Sequence, residues 1–207
     1  MPEPPSGGPI QLLAATRLEA WTASVARTGC SVATVGVGLK HPQLLMPDAT
    51  VISFGLCGAL AESVSTGAIA IPERVGLTDG RMFQCDQHLV ERLRRACRRS
   101  QAHLVTADLL TSPHLITGDA ADPWADRGFA VVDMETALLG SLGYRFAALR
   151  VVLDTPAHHL DQSWLSPRSA ALKPRLWPQL AWLAFTSIGQ CRRAARILAL
   201  GLSDSLA

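Results

Sequence analysis

Lysine is almost missing from these 207 residues: of 19 basic side chains, only Lys40 and Lys173 are lysines. Aromatic residues make up 5% and charged residues 17%, and the formal net charge is only +2. So small a net charge gives no overall field to recruit nucleic acid or anionic lipid, and no nucleic-acid partner is expected. Paired cysteines are missing too. Cys30, Cys57, Cys85, Cys97 and Cys191 form no CxxC. An odd, scattered set fits reduced thiols better than a disulfide framework. Long apolar runs are lacking. The longest uncharged apolar-rich stretch, 176–191, contains Pro178, Gln179 and Gln190, and falls short of the ~20 apolar residues of a membrane span. The opening MPEPPSGGP has neither a positive n-region nor an apolar h-region, so a cytoplasmic protein is expected. What is abundant is apolar residues, at 48%. That excludes a disordered or fibrous chain. The expectation is a disordered lead-in over 1–9 and one domain over 10–207.

Short apolar runs alternate with helical patterns from Ile10 onward. Strands are predicted at 10–15, 31–38, 50–55, 67–75, 102–110, 129–135 and 146–154, the fourth with its edge exposed at Pro72. Helices are predicted over 18–27, 86–100 and 178–202, and after residue 135. Such alternation predicts an α/β fold in three layers, with a mostly parallel mixed sheet flanked by helices. Ligands of such sheets sit beyond the carboxyl ends of the strands. Polar residues gather there: Glu19, Gly55–Gly58, Asp133 with Glu135, and Asp154.

Several motifs could carry chemistry. Gly36-Val37-Gly38 ends a strand, but position 41 is His rather than a third glycine, so a tight turn is favoured over a dinucleotide site. Gly55-Leu56-Cys57-Gly58-Ala59-Leu60 reads as a glycine-rich turn, able either to bring backbone N–H groups to a phosphate or sugar or to allow a close strand–helix contact. VVDMETA (131–137) puts two acids in an apolar run, which is costly unless they are paired. That suggests a site, with helix capping as the plainer role for Asp133. RVVLDTPAHH (150–159) ends a strand on another acid. His158 and His159 lack the spacing of a metal site, and no metal is expected. The arginines at 92, 94, 95, 98 and 99 read as a solvated helix face. For Arg192, Arg193 and Arg196, packing of their helix on the sheet is favoured over membrane-surface contact.

Four segments in order, TRLEA, SFGLCGAL, VVDMETA and RVVLD, make residues 10–202 resemble the nucleoside phosphorylase and nucleosidase superfamily, which includes methylthioadenosine/S-adenosylhomocysteine nucleosidase. The Thr-Asp-Gly at 78–80, VVDMET and the Trp-Pro-Gln-Leu opening the last helix are similar to its hopanoid-associated phosphorylase branch. The resemblance implies that Glu135 binds the ribose hydroxyls, Met134 packs on the sugar and Asp154 protonates N7 of the departing purine. It implies that Glu19 positions an attacking water in hydrolytic members, and that Gly55, Leu56, Cys57, Gly58 and Ala59 line the sugar or phosphate pocket. Two departures stand out: Leu56 replaces a hydroxyl residue, and Leu110 stands near the place of a purine-stacking aromatic. Arg17 is a candidate phosphate ligand. The expected reaction is release of adenine from a nucleoside with a bulky apolar 5′ group, adenosylhopane in that branch. Phosphate is the expected acceptor and co-substrate. Leu56, Leu110, Trp124 and Trp164 would form an apolar mouth. No cofactor is needed. A homodimer is expected, with peripheral membrane contact through a lipid substrate. The rivals are a hydrolytic nucleosidase acting on methylthioadenosine or S-adenosylhomocysteine, and an inactive nucleoside-binding protein.

Overall fold

The computed structural model describes residues 8–116, 118–156 and 177–203, with side chains of the last segment from Phe185 onward. Most of the lead-in, His158, His159 and Trp164 lie outside the described residues. The fold is α/β, with a mixed sheet flanked by helices.

Three parallel strands start the sheet: β1 (Ile10–Ala14), β2 (Ser31–Thr34) and β3 (Thr50–Ala59). β1 pairs with both β2 and β3. The chain then adds β4 (Ile69–Ala70), β5 (Arg74–Leu77), β6 (Met82–Gln84), β7 (Leu104–Val105) and β8 (Asp108–Thr111). Last come β9 (Phe129–Asp133) and β10 (Phe146–Asp154). The order across the sheet is β6-β5-β8-β9-β3-β10-β4-β7, with β1 and β2 beside β3. β10 is buried at every residue and runs parallel to β3, opposing Arg150 to Gly55 and Asp154 to Gly58. β9 runs antiparallel to the far half of β3. Its C-terminal acids are thereby carried back toward the middle of β3.

The helices follow from capping and patterning. α1 (Arg17–Val25) starts with a capping box: the Glu19 N–H donates to Thr16 Oγ1, and the Thr16 N–H donates back to Glu19 Oε2. α2 (Gln87–Arg99) is capped by Asp86 and buries Leu89, Val90, Leu93, Ala96 and Cys97. α3 (Asp122–Ala125) is one turn, and α4 (Thr136–Ser141) follows β9 directly. α5 (Trp177–Ser203) is the longest helix among the described residues and packs against α1, α2, β3 and β10.

Three expectations need correction. The stretch 55–60 is no turn, because β3 continues through Ala59. The predicted strand 67–75 breaks into β4 and β5 at Pro72, which is buried, so no exposed edge is found there. The two halves pair with different strands, β4 with β10 and β7, β5 with β8 and β6. A proline cannot donate to a ladder, so it marks the change of partner. The run 102–110 divides likewise into β7 and β8.

Candidate active site

The glycines of β3 make room for carboxylates. A Cβ on Gly55 would lie 2.2 Å from Glu19 Oε1 and 2.8 Å from Arg150 Nη1. A Cβ on Gly58 would lie 3.1 Å from both oxygens of Asp154. Only glycine tolerates the first of these approaches, and neither depends on a turn. Glu19 and Arg150 thus both press against the bare Cα of Gly55, where any side chain would collide with them.

Glu19 is buried and rigidly placed. Its Oε2 accepts the Thr16 N–H at 2.7 Å and the Thr16 hydroxyl at 2.8 Å, and its Oε1 accepts the Leu56 N–H at 2.8 Å. The capping box therefore fixes the carboxylate that also reaches β3.

Arg150, the centre of the site, was not singled out by the sequence reading, although a cation inside the apolar run FAALRVVLD is itself a signal. It is fully buried. Its Nη2 donates to Ser53 Oγ at 2.6 Å, Thr136 Oγ1 at 3.1 Å and Glu135 Oε2 at 3.3 Å, and pairs with Asp133 Oδ2 at 2.7 Å. Its Nη1 has no hydrogen-bond partner among the described residues. That orphan donor lies beside Gly55, and a buried unmet donor calls for a ligand or water.

The two acids around Met134 differ. Asp133 accepts from Thr111 Oγ1 at 2.6 Å, from the Thr136 N–H and hydroxyl, and from Arg150. It holds the start of α4 and neutralises Arg150. Glu135 is buried and, among the described residues, accepts the Gly38 N–H at 2.8 Å and the longer Arg150 contact. Burial raises its pKa to about 7; Arg150 opposes the rise and Asp133 adds to it. Gly38 stands at a left-handed φ of 74°, which presents its N–H to Glu135.

Asp154 ends β10, buried against Gly58. With Ala59, Ile116, Gly118, Ala121, Thr155 and Pro156 it lines a small gap. Beyond Thr155 and Pro156 opens a cavity of about 740 Å³ lined by Glu62, Ser65, Thr66, Asp119 and Asp122. Its size suits a small-molecule site, and its lining is polar.

The structure brings Glu19, Glu135, Gly55, Leu56 and Gly58 around Arg150 and Asp154. Met134 and Leu56 are half-buried. Cys57 is buried, and burial pushes its thiol up, so it is no nucleophile near neutrality. Arg17 is exposed and has no hydrogen bond among the described residues. Leu110 is fully buried with Leu60, Ala121, Phe129 and Val132. Trp124 stands edge-on to Phe129, 6.1 Å between centroids, under the Arg127 guanidinium. Leu110 and Trp124 are thus committed to a packed cluster.

The fold is a mixed α/β sheet with a buried charge network centred on Arg150. The family model of the phosphorylase superfamily matches residues 10–171, and the chain belongs to that superfamily. Similar solved structures include a futalosine hydrolase mutant of Helicobacter pylori, 12% identical with a TM-score of 0.71 over 95% of this chain and 99% of that one. A methylthioadenosine/S-adenosylhomocysteine nucleosidase from Neisseria meningitidis is 15% identical, with a TM-score of 0.70 over 95% and 99%. An S-adenosylhomocysteine nucleosidase from Streptococcus pyogenes is 17% identical, with a TM-score of 0.69 over 98% and 100%. A comparison with curated proteins finds no match.

Proposed function

We propose that this protein cleaves the N-glycosidic bond of an adenine nucleoside with water as nucleophile. One observation carries the reading: Glu19 and the orphan Nη1 of Arg150 meet beside Gly55, Glu135 pairs with the same guanidinium, and Asp154 lies further along the same two strands against Gly58.

As the bond opens, the sugar gains oxocarbenium character and the base becomes a leaving anion. Asp154 protonates N7 of the base, general acid catalysis that is typically worth 10²–10⁴-fold. The polar cavity beyond Thr155 receives the base. Glu135, once ionised, accepts hydrogen bonds from the ribose hydroxyls and faces the developing positive charge. Glu19 Oε1 and Arg150 Nη1 hold the water between them; Glu19 takes its proton as the C–O bond forms.

Electrostatics favours water over phosphate. Among the described residues, Glu19, Asp133 and Glu135 gather on one cation, Arg150, which is already paired twice, with Asp154 further along the same strand. A phosphate dianion entering that field would be repelled by like charges. Arg17, the cation expected to help, is exposed. The similar structures named as hydrolase and nucleosidase agree with this reading.

The second reading keeps phosphate as acceptor and adenosylhopane as substrate. It is favoured by the unpartnered Nη1, a donor suited to an oxyanion, and by the half-buried Leu56 beside Glu19. The test is adenine release from adenosine, methylthioadenosine, S-adenosylhomocysteine and adenosylhopane, with and without phosphate. Free sugar at a rate independent of phosphate supports hydrolysis. A sugar 1-phosphate that vanishes without phosphate supports the second reading. Binding with no base release refutes both.

A further inference from the structure

The two arginine clusters read separately from the sequence belong to one layer. α5 lies between α1 and α2 and packs on both, and all three cover the same side of the sheet. Their buried residues face the strands. Their outer faces expose Arg95 and Arg98 on α2, and Arg192, Arg193 and Arg196 on α5. The only carboxylates on these three helices are Glu19, which is buried in the active site, and Glu91. For a chain of net charge +2 this is a strong local asymmetry.

The same surface carries apolar side chains. Trp21 is 45% exposed, with Arg192 stacked 4.9 Å over its ring, and Val25 lies one turn further along α1. Phe185 is 81% exposed and two turns before Arg192 on α5; Leu200 is exposed one turn after Arg196. No helix among the described residues is long and apolar enough to cross a membrane.

We propose that this α1–α5–α2 face docks on an anionic membrane surface. Guanidinium groups bind lipid phosphates through two parallel hydrogen bonds. Basic residues near an anionic leaflet are drawn to its negative surface potential. The headgroup region also offers an apolar boundary to Phe185, Trp21, Val25 and Leu200. A second copy of the face would bring arginine onto arginine. A nucleic-acid duplex would satisfy the arginines and leave the apolar side chains in water.

The test is cosedimentation of the full chain with vesicles of phosphatidylcholine alone, or mixed with phosphatidylglycerol, at low and high salt. The expected result is pelleting only with the anionic vesicles, reversed by salt. The variant Arg192→Glu/Arg193→Glu/Arg196→Glu loses pelleting while its melting temperature holds. Arg95→Glu/Arg98→Glu reduces it independently, and Phe185→Asp weakens it at unchanged basic charge. No pelleting with anionic vesicles, equal pelleting by the charge-reversed variants, or stronger retention on duplex DNA than on vesicles overturns the proposal. These readouts do not involve base release, so they stand or fall apart from the catalytic reading.

Discussion

Replacing Arg150 by methionine tests the centre of the site. The substitution keeps an unbranched chain of similar reach and removes the only cation between Asp133 and Glu135. Both carboxylates are then left buried and facing each other. Removing one partner of a buried pair costs about 3–5 kcal/mol. In a chain of this size that corresponds to a Tm loss of the order of 10 °C. The deficit must depend on pH. Without Arg150 the folded-state pKa of Glu135, already raised by burial, rises further above its unfolded value. Its contribution is therefore fully present below the unfolded pKa and is lost as pH rises through the folded one. Thermal denaturation followed by circular dichroism from acid to neutral pH should show the Arg150→Met deficit growing as pH rises. Adding Asp133→Asn should recover part of it, because one of the two facing charges is gone. If Arg150→Met melts like wild type at neutral pH, or if its deficit is the same at every pH, the argument that this guanidinium holds the acid pair is wrong.

Gly55→Ala should abolish turnover, because its methyl group would sit 2.2 Å from Oε1 of the Glu19 carboxylate, which three hydrogen bonds hold in place; overpacking of this kind costs about 1–3 kcal/mol, and normal kcat would refute it. Asp154→Asn should remove base release and leave the far-UV spectrum unchanged; near wild-type adenine release takes Asp154 out of the chemistry. Glu135 should give kcat/KM an ascending limb centred near pH 7, where it ionises, and Glu135→Gln should lack that limb. The same shift acts on stability. The folded pKa of about 7 lies above the ordinary 4.5, so Glu135 contributes stability below pH 4.5 that is lost as pH rises to 7, about 3 kcal/mol in all. Chemical denaturation of wild type against Glu135→Gln across that window measures it, and parallel curves would contradict it.

The sequence made β10 and α2 legible to within a residue, because continuous burial and helical periodicity are strong signals there. It misled at 55–60. A glycine pair after an apolar run carries the same signal whether the backbone turns or a neighbour comes close, and at Gly55 and Gly58 the neighbours are Glu19 and Asp154. The three acids Glu19, Glu135 and Asp154 could be picked out because each follows or ends an apolar run. Ser53, Thr111 and Thr136, which hydrogen-bond Arg150 Nη2 and Asp133, could not, since a buried hydroxyl among apolar neighbours looks like any core position. Leu110 and Trp124 looked available for a substrate, and their commitment to the Phe129 cluster depends on β8 pairing with β9 and α3 folding back over it.

The paired acids of VVDMETA show why one carboxylate would not suffice. A guanidinium cannot be buried completely without a counter-charge and hydrogen-bond acceptors. Asp133 supplies the charge, and Ser53 and Thr136 supply further acceptors. Each Asp133 oxygen is already engaged by hydroxyl, backbone or guanidinium donors, so it has little capacity left for a ligand. Glu135 lies two residues on, past the end of β9, where the chain turns into α4. It makes few contacts of its own and keeps lone pairs free, while burial and the neighbouring Asp133 lift its pKa to the edge of the physiological range. The first acid is spent on holding Arg150, and Arg150 keeps the second one ionisable and in place. In the mechanism we propose, the motif is thus a division between a structural and a working carboxylate, with the buried arginine as the element that couples them.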